Sequence, residues 1–406
     1  MSAADPGGSS RTGGSPRAGG SPWGGGPTGT GGPLRVALVL GKSTGGIGTH
    51  VRDLRDGLMA AGIDVRTVTD AGTARVFGFD DAVRAWPSPR RPDPRVIAGL
   101  RRALVGADVV HAHGHQAGAL ASAALAMTRP RRGSTRGRRP PLVVSLHNTP
   151  PDLTGPAGRL AAALEATTMR AADLVTGASE DLVQRALAIG AREARLARVP
   201  SPRVPDLLAA GPAERDAARG RVRAAYGLDP SVPLIATLSR IAPQKDLPSL
   251  LAAEAGVRGP HEWVVAGSGI PALLEQLRRG AHGRPLHFVG AVPDPESLLL
   301  AADVFALTST WEARALVVQE AMAAGLPVVA TAVGGLPDLI GAGTGILLAP
   351  GDAAGFAAAV DLLLADPARR RDLGAAGRSV AAGWPRHADM VAEWVATYRA
   401  LSGGIP

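Results

Sequence analysis

The sequence predicts an α/β protein with two doubly wound domains that face a central cleft, preceded by a disordered tail. The chain has 406 residues, which is too long for one ordinary domain and sufficient for two. Short apolar runs alternate with helical segments, the order typical of parallel sheets. This alternation stops near residue 200 and begins again near residue 233, so the two halves read as similar units in series.

The first 33 residues are dominated by glycine, serine and proline and contain no apolar segment. We therefore predict a disordered tail over 1–33, and the stretch does not resemble a signal peptide. The chain has no cysteine, which excludes disulfides, thiolate catalysis and cysteine-bound zinc. No apolar run reaches the ~20 residues that a membrane span needs, and we expect a cytoplasmic location.

The first domain is predicted over 34–203. Between its strands lie helical segments such as 115–128 and 157–172. Its predicted strands are 35–40, 64–69, 108–113, 141–147, 173–179 and 196–200.

Residues 200–232 read as an irregular domain junction with one short polar helix. The second domain is predicted over 204–383, and a helical segment follows it over 384–406. Ligands of such sheets bind beyond the carboxyl ends of the strands, so a cleft between the domains is the expected site. The predicted strands of the second domain are 233–239, 262–268, 286–291, 303–309, 327–333 and 345–350.

The net charge of +9 would suggest a nucleic-acid partner. We predict none, because aromatic residues make up only 3% of the chain and offer no stacking surface for bases. One basic cluster, RPRRGSTRGRRP at 129–140, stands between a helix and a strand. Two interpretations stay open for it: a solvated loop, or peripheral contact with an anionic membrane.

The stretch GKSTGGIGTH, residues 41–50, lies between the first strand and a helix. A Walker A motif would need a glycine at Val36, and the dinucleotide motif would need one at Val51, so neither motif is present. Gly45 and Gly46 let backbone amides approach an anion closely. An ordinary tight turn explains the pair equally well.

Three stretches of the second half carry residues suited to a phosphorylated ligand. Arg240 and Lys245 follow its first strand, where a guanidinium fork and an ammonium could neutralise a diphosphate. A surface ion pair with a nearby carboxylate is the alternative. Gly267 and Gly269 stand between a strand and a helix, which is another turn that could approach an anion.

The third stretch contains two glutamates that are eight residues apart. Glu312 precedes a predicted helix, and Glu320 lies on it, amid apolar neighbours. A carboxylate in such surroundings needs hydrogen-bond donors, for which sugar hydroxyls are suitable. A structural pairing with arginine is the alternative.

Taken in order, these motifs resemble those of the retaining GT4 glycosyltransferases, which have the GT-B fold of two Rossmann-like domains. The resemblance extends from about Leu34 to Leu401. The family pattern also includes Ala-Met-x-x-Gly-x-Pro-Val-Val and a Gly-Gly pair, here AMAAGLPVV at 321–329 and Gly334-Gly335. It implies that the last helix crosses back onto the first domain, with Trp394 and Tyr398 on its packed face.

The resemblance implies roles for the residues named above. Arg240 and Lys245 would neutralise the departing diphosphate, Glu312 would hold hydroxyls of the donor sugar, and Glu320 would bind the ribose. His147 would lie beside the reacting sugar, although a structural hydrogen bond is the alternative for a histidine at a strand end.

The resemblance also places the Gly45-Gly46 loop across the cleft from the diphosphate. Three histidines in HAHGH, 111–115, alternate along a strand end with metal-ligand spacing. The family usually needs no metal, so we predict none, and His113 could still line the cleft.

The sequence departs from the family at two places. Many members have Gly-Phe-Gly after the first glutamate, where this chain has Ala313-Arg314-Ala315, so close approach of the backbone requires negative φ at these alanines. We predict that Arg314, Ala315 and Leu316 contact the donor, and the alternative for Arg314 is a side chain that points to solvent. The second departure is Pro-Ser-Pro at 200–202, where members often have Pro-Asn-Gly.

The function implied is transfer of a sugar from a nucleotide-diphosphate sugar to an acceptor hydroxyl, by front-face attack with retention. Neither a cofactor nor a metal is expected. The acceptor stays open among a glycan, a lipid-linked molecule and a small molecule. The alternatives are a catalytically retired scaffold that binds ligands, and a nucleotide-sugar epimerase or sugar phosphorylase of the same fold.

Overall fold

A computed structural model describes residues 32–84, 86, 94–127, 139–150 and 154–403 of the chain. The predicted tail lies outside these residues except for its last two, and the basic cluster lies outside them except for Arg139 and Pro140.

The first sheet has seven parallel strands in the order β3-β2-β1-β4-β5-β6-β7. The strand order changes direction between β1 and β4. In the pairing of these two strands, Leu40 lies opposite His113. Loops at this switch point form the ligand crevice of doubly wound sheets. The strands are β1 (Arg35–Leu40), β2 (Asp64–Thr69), β3 (Val83–Arg84), β4 (Val109–His113), β5 (Leu142–Leu146), β6 (Leu174–Gly177) and β7 (Ala194–Leu196).

The second sheet has six parallel strands in the order β10-β9-β8-β11-β12-β13, which repeats the arrangement of the first sheet around β8 and β11. Two parallel α/β sheets, as predicted, are therefore confirmed. The strands are β8 (Leu234–Leu238), β9 (Glu262–Ala266), β10 (Leu286–Gly290), β11 (Val304–Leu307), β12 (Val328–Thr331) and β13 (Gly345–Leu348).

Helices separate the strands and cover both faces of each sheet, so the central strands are fully buried, as the apolar runs of β4 and β5 require. They are α1 (Gly46–Ala60), α2 (Ala71–Phe77), α3 (Pro94–Leu104), α4 (His115–Ala126), α5 (Gly155–Ala171), α6 (Glu180–Ala188), α7 (Val204–Ala209), α8 (Pro212–Tyr226), α9 (Leu247–Glu254), α10 (Pro271–Gly280), α11 (Pro295–Ala301), α12 (Leu316–Ala323), α13 (Leu336–Leu339), α14 (Ala353–Ala365), α15 (Pro367–Ala382) and α16 (His387–Ser402).

Three local predictions were wrong. The sequence analysis missed β3, which is only two residues long. It placed the last strand of the first sheet over 196–200, whereas β7 covers Ala194–Leu196 and pairs with β6. It also predicted an irregular 200–232 with one short polar helix, whereas two helices, α7 and the 15-residue α8, occupy most of that stretch.

The last helix, α16, packs on the first sheet's layer rather than on the second. Its side chains Trp394 and Tyr398 share one buried cluster with Leu54 and Leu58 of α1. A methyl group on Gly57 would lie 2.4 Å from Val391, so the two helices approach each other closely. Within the described part of the chain, none of the helices has the length and apolar character needed to cross a bilayer.

Candidate functional site

The loop between β1 and α1 faces the second half of the chain. A methyl group on Gly45 would lie 4.0 Å from the Arg240 side chain, and one on Gly46 would lie 3.8 Å from Leu316. The loop is therefore placed directly opposite the strand ends of the second sheet. Gly45 at the N-cap of α1 has no side chain to cap the helix, and the Gly48 amide in the first turn donates instead to the Ser43 hydroxyl at 3.0 Å.

Two cations follow β8. Arg240 is exposed, and its guanidinium has no hydrogen-bond or ion-pair partner among the described residues. Lys245 is largely buried and donates from Nζ to Glu312 Oε1. Ser309 donates to the same oxygen at 2.5 Å, which leaves Glu312 Oε2 with no donor in the described part of the chain. Both predicted catalytic cations thus follow β8. Lys245 is paired with Glu312, and Arg240 has no partner among the described residues.

The loops that carry Lys245 and Glu312 are tied together by backbone contacts. The Thr310 amide donates to the Gln244 carbonyl at 2.8 Å, and the Gln244 side chain donates to the Trp311 carbonyl at 2.7 Å. Asp246 has φ of +44°, an uncommon conformation that turns the chain from the lysine into α9. These contacts fix the ammonium and the carboxylate relative to each other.

Glu320 is buried on α12, as its position in the apolar helix predicted. Its Oε1 accepts a hydrogen bond from the Ser201 hydroxyl at 2.6 Å and another from Arg203 at 3.2 Å. Burial raises the pKa of the Glu320 carboxyl, and these two donors oppose the shift. Its Oε2 has no donor among the described residues, so each glutamate of the pair has one oxygen without a hydrogen bond in the described structure.

Two arginines hold the end of α12 in place. Arg215 donates to the Ala324 carbonyl at 2.6 Å, and Arg378 donates to the Ala323 carbonyl at 2.8 Å. These carbonyls have no partner within the helix, and positive groups are favoured at a helix carboxyl end. The helix that bears Glu320 is thus fixed at the end away from the cleft.

Gly267 and Gly269 allow the loop after β9 to lie in direct backbone contact with the loop after β8. Gly267 has φ of +146°, and a methyl group there would lie 1.8 Å from the Ser239 carbonyl oxygen. The Gly267 amide donates to the Gly290 carbonyl at 2.7 Å, so this amide is not available to a ligand. Donor binding by these two glycines stays a prediction, and their packing role is evident.

The Ala-Arg-Ala loop meets its conformational requirement. Ala315 has φ of −62°, and no residue from 313 to 315 has positive φ. The Arg314 guanidinium lies 5.8 Å from the Trp384 ring centre. Burial lowers the pKa of the Arg314 guanidinium, opposed by the charge of Asp338. Arg314 therefore lies over Trp384, the ring of which packs against the core of the second domain.

Histidines from three elements meet at the carboxyl end of the first sheet. His113 Nδ1 lies 3.1 Å from His147 Nε2, and the His50 ring lies 5.4 Å from that of His147. One ring nitrogen from each of the three lies within 4.8 Å of those of the other two, which is compatible with metal binding. Burial, together with the neighbouring histidines, lowers the pKa of His50 to about 4 and that of His147 to about 3. The absence of a metal stays a prediction.

The other two histidines of HAHGH have separate partners. His111 contacts the Tyr398 hydroxyl at 2.6 Å and the Ser145 hydroxyl at 2.7 Å. His115 contacts the Asn148 carbonyl at 2.8 Å. These contacts connect the strand end to α16 on one side and to the loop after His147 on the other.

The sequence analysis missed three residues of this site. His50 was part of the quoted glycine-rich stretch, and its signal was a histidine near the start of the helix that follows the first strand. Ser201 lay in the Pro-Ser-Pro departure from the family pattern, and the sequence analysis did not identify it as the partner of Glu320. Arg203 had no sequence signal, because only the fold brings it to Glu320.

Taken together, the site offers cations for phosphates and carboxylate oxygens for hydroxyls. Arg240 and the paired Lys245 are chemically suited to an anionic group, and the Oε2 atoms of Glu312 and Glu320 are suited to accept hydrogen bonds from hydroxyl groups.

Glycosyltransferase family models match both halves of the chain. Residues 45–202 match the family model of the glycosyl transferase 4-like domain, and residues 219–380 match that of glycosyl transferases group 1. The D-inositol 3-phosphate glycosyltransferase 1 of Catenulispora acidiphila is 30% identical, with 90% of this chain and 93% of the relative covered. The glycogen synthase of Mycobacterium tuberculosis is 29% identical, with 80% and 83% covered.

Solved structures have the same fold. Anabaena Alr3699/HepE in complex with UDP superposes with a TM-score of 0.73 at 19% identity, over 90% of this chain and 100% of that one. WaaG, a glycosyltransferase involved in lipopolysaccharide biosynthesis, has a TM-score of 0.69 at 18% identity, over 91% and 100%. The chain therefore belongs to the GT4-type glycosyltransferases and has the GT-B fold.

Proposed function

We propose that the chain transfers a sugar from a nucleoside-diphosphate sugar to an acceptor hydroxyl, with retention of the anomeric configuration and without a metal. The observation that carries the proposal is the position of Arg240. This cation has no partner among the described residues, lies beside Gly45, and follows the same strand as Lys245, which pairs with Glu312. The related HepE structures contain UDP and UDP-glucose, which supports a nucleotide sugar as the donor class.

In the proposed reaction, the bond between the anomeric carbon and the phosphate oxygen breaks as the acceptor oxygen attacks the same face. The acceptor proton passes to the departing phosphate. Arg240 and Lys245 stabilise the charge that develops there, which is the electrostatic contribution that preorganised cations supply. Glu312 holds the donor sugar through Oε2, and Glu320 holds the ribose through Oε2. The protein's part is thus positioning and charge stabilisation.

The acceptor is proposed to be a glycan, a lipid-linked molecule or a small molecule. The protein is proposed to act in the cytoplasm. Peripheral contact with an anionic membrane is proposed for the basic cluster at 129–140. Two exposed leucines on α5, Leu160 and Leu164, are four residues apart and so share a face, which would add apolar contact to such a membrane. Flotation with anionic and neutral vesicles tests this, and equal absence of binding to both would contradict it.

The donor site is tested by calorimetry with a panel of nucleoside diphosphates and nucleotide sugars. We expect one base to bind, with at least tenfold weaker affinity in Arg240→Ala and Glu320→Ala. Arg279→Ala is the matched control, since Arg279 is an exposed arginine on α10 with no ion pair in the described part of the chain. Absence of binding by the folded wild-type protein would favour a retired scaffold.

The stereochemistry and the metal requirement need separate measurements. Proton NMR of the product reports the anomer, and an inverted product would refute retention. Activity after chelation with EDTA should equal untreated activity, and a loss restored by added metal would refute the metal-free reaction. Sugar epimerisation without any acceptor would favour the epimerase alternative.

A further inference from the structure

A single hydrogen bond joins His113 to His147, the histidine that the proposed function places beside the reacting sugar. The His113 Nδ1 to His147 Nε2 distance is 3.1 Å, the ring planes differ by 17°, and the ring centres are 5.4 Å apart. The two nitrogens therefore lie close to the line between the ring centres. This is an in-plane hydrogen bond rather than face-to-face stacking.

Both rings are neutral near pH 7, because burial lowers the pKa of His113 well below its usual value and that of His147 to about 3. Each ring then carries one hydrogen, on one of its two nitrogens. The hydrogen between the rings belongs either to His113 Nδ1 or to His147 Nε2, and this choice determines the tautomer of both.

The second nitrogen of His113 distinguishes the two cases. His113 Nε2 is fully buried and has no partner in the described structure. If His147 donated, this atom would carry a buried N–H with no acceptor, a group rarer in proteins than an unpaired acceptor. If His113 donates, Nε2 keeps only a lone pair. The intrinsic preference of free histidine for a hydrogen on Nε2 opposes this assignment but is smaller than the cost of a buried unpaired donor.

We infer that His113 is a positioning residue that donates from Nδ1 and holds His147 in the tautomer with its hydrogen on Nδ1. His147 Nδ1 has no partner in the described part of the chain and is not among the fully buried unpartnered atoms. It is the ring nitrogen left to meet a ligand, and it does so as a donor. This inference rests on the proposed function for its catalytic consequence: a donor stabilises a phosphate or sugar oxygen, whereas a lone pair would repel it.

The orientation of His113 is set by its surroundings. Its strand pairs with β1 at Leu40 and with β5 at Ser145, and its ring centre lies 4.1 Å from that of His111. His111 is in turn held by Tyr398 of α16. A ring supported on this side has little freedom to flip and exchange its two nitrogens.

The same geometry disfavours a metal ion between the two rings. A metal that replaced the shared hydrogen would leave the remaining hydrogen of His113 on Nε2, where no acceptor lies. The tautomer measurement is therefore made on protein treated with EDTA.

The tautomers are read from two-bond proton–nitrogen correlations of the protein labelled with ¹⁵N-histidine, and His147→Gln identifies the signals of that ring. We expect a protonated Nδ1 and an unprotonated Nε2 at His147. In His113→Leu the hydrogen should move to Nε2. His261→Leu is the matched control, because His261 is a buried histidine of the second domain. A wild-type His147 with its hydrogen on Nε2 would overturn the inference.

Kinetics provide the second readout. His113→Leu should lower kcat roughly 10- to 100-fold, with the donor KM changed less than about twofold, because the lost donor acts mainly on the transition state. His113→Asn, which keeps an amide N–H near the Nδ1 position, should recover part of the rate. An unchanged kcat together with a switched tautomer would refute the catalytic consequence. The expected tautomer in a protein that transfers no sugar would support the positioning and refute the proposed function instead.

Discussion

Removal of one buried hydroxyl tests the link between the last helix and the first sheet. Tyr398 is fully buried, and its hydroxyl lies 2.6 Å from His111 Nδ1. Tyr398→Phe keeps the ring and leaves Nδ1 buried without a partner, which costs about 1–3 kcal/mol. For a domain of 150–250 residues, a loss of about 2 kcal/mol lowers Tm by roughly 4–8 °C.

The chain supplies its own control, since it has only two tyrosines. The second, Tyr226 at the end of α8, is partly buried, and its hydroxyl has no hydrogen-bond partner among the described residues. Calorimetric unfolding should show a lower Tm for Tyr398→Phe and a change of less than about 1 °C for Tyr226→Phe. Equal shifts in the two variants would refute the assignment of the effect to the His111 hydrogen bond.

Three further predictions concern the loops and the histidines. Gly267→Ala should abolish folding or lower stability by more than about 3 kcal/mol, because the new methyl group meets a carbonyl oxygen at 1.8 Å in a strained conformation. Ser201→Ala should weaken nucleotide binding by roughly 3- to 10-fold in calorimetry, since the second glutamate loses the hydroxyl that orients it. Acid should destabilise the protein: the histidines bind protons below about pH 6.5 when unfolded, but His50 and His147 bind them only near pH 4 and 3 when folded. Their contribution is complete above pH 6.5 and falls as the pH drops toward 4, by roughly 2 kcal/mol per histidine at pH 5 in urea unfolding.

Each of these three predictions has a control variant. Gly283→Ala places a methyl group in open space at φ of +76°, so it should cost only about 1 kcal/mol. Ser231→Ala removes an exposed hydroxyl remote in sequence from the glutamates and should leave nucleotide affinity unchanged. In His50→Leu the loss of stability between pH 7 and pH 5 should be smaller, and an equal loss would show that other groups are responsible.

Most of the fold could be predicted from the sequence because buried parallel strands are short, continuous apolar runs. Of the predicted strands, β1 and β2 have the predicted bounds. The polar, arginine-rich α8 gave little apolar periodicity, and its ends are set by local contacts such as the Glu214 side chain accepting the Gly211 amide at 3.0 Å. The two-residue β3 is formed by pairing with β2, which no local pattern can indicate.

The site was predictable where it depends on position after a strand. The loops with Arg240, Lys245 and Glu312 follow β8 and β11, which are neighbours in the sheet, so the strand order alone brings them together. The partners of Glu320 were not predictable, because Ser201 is 119 residues away in the chain. Motif spacing indicated the two glutamates as candidates, and only the tertiary structure shows which groups hold their side chains in place.

The return of α16 to the first sheet has a consequence for synthesis on the ribosome. The first sheet is complete at residue 196, but the cluster on its α1 face also needs side chains from Met390 to Tyr398. Translation proceeds at about 5–20 residues per second, so the apolar face of α1 stays exposed for roughly 10–40 s while the second domain is synthesised. The first domain leaves the ribosome first, but its hydrophobic core is completed last. During this interval chaperones can bind the exposed Leu54 and Leu58, and the two side chains can also make non-native contacts with other chains.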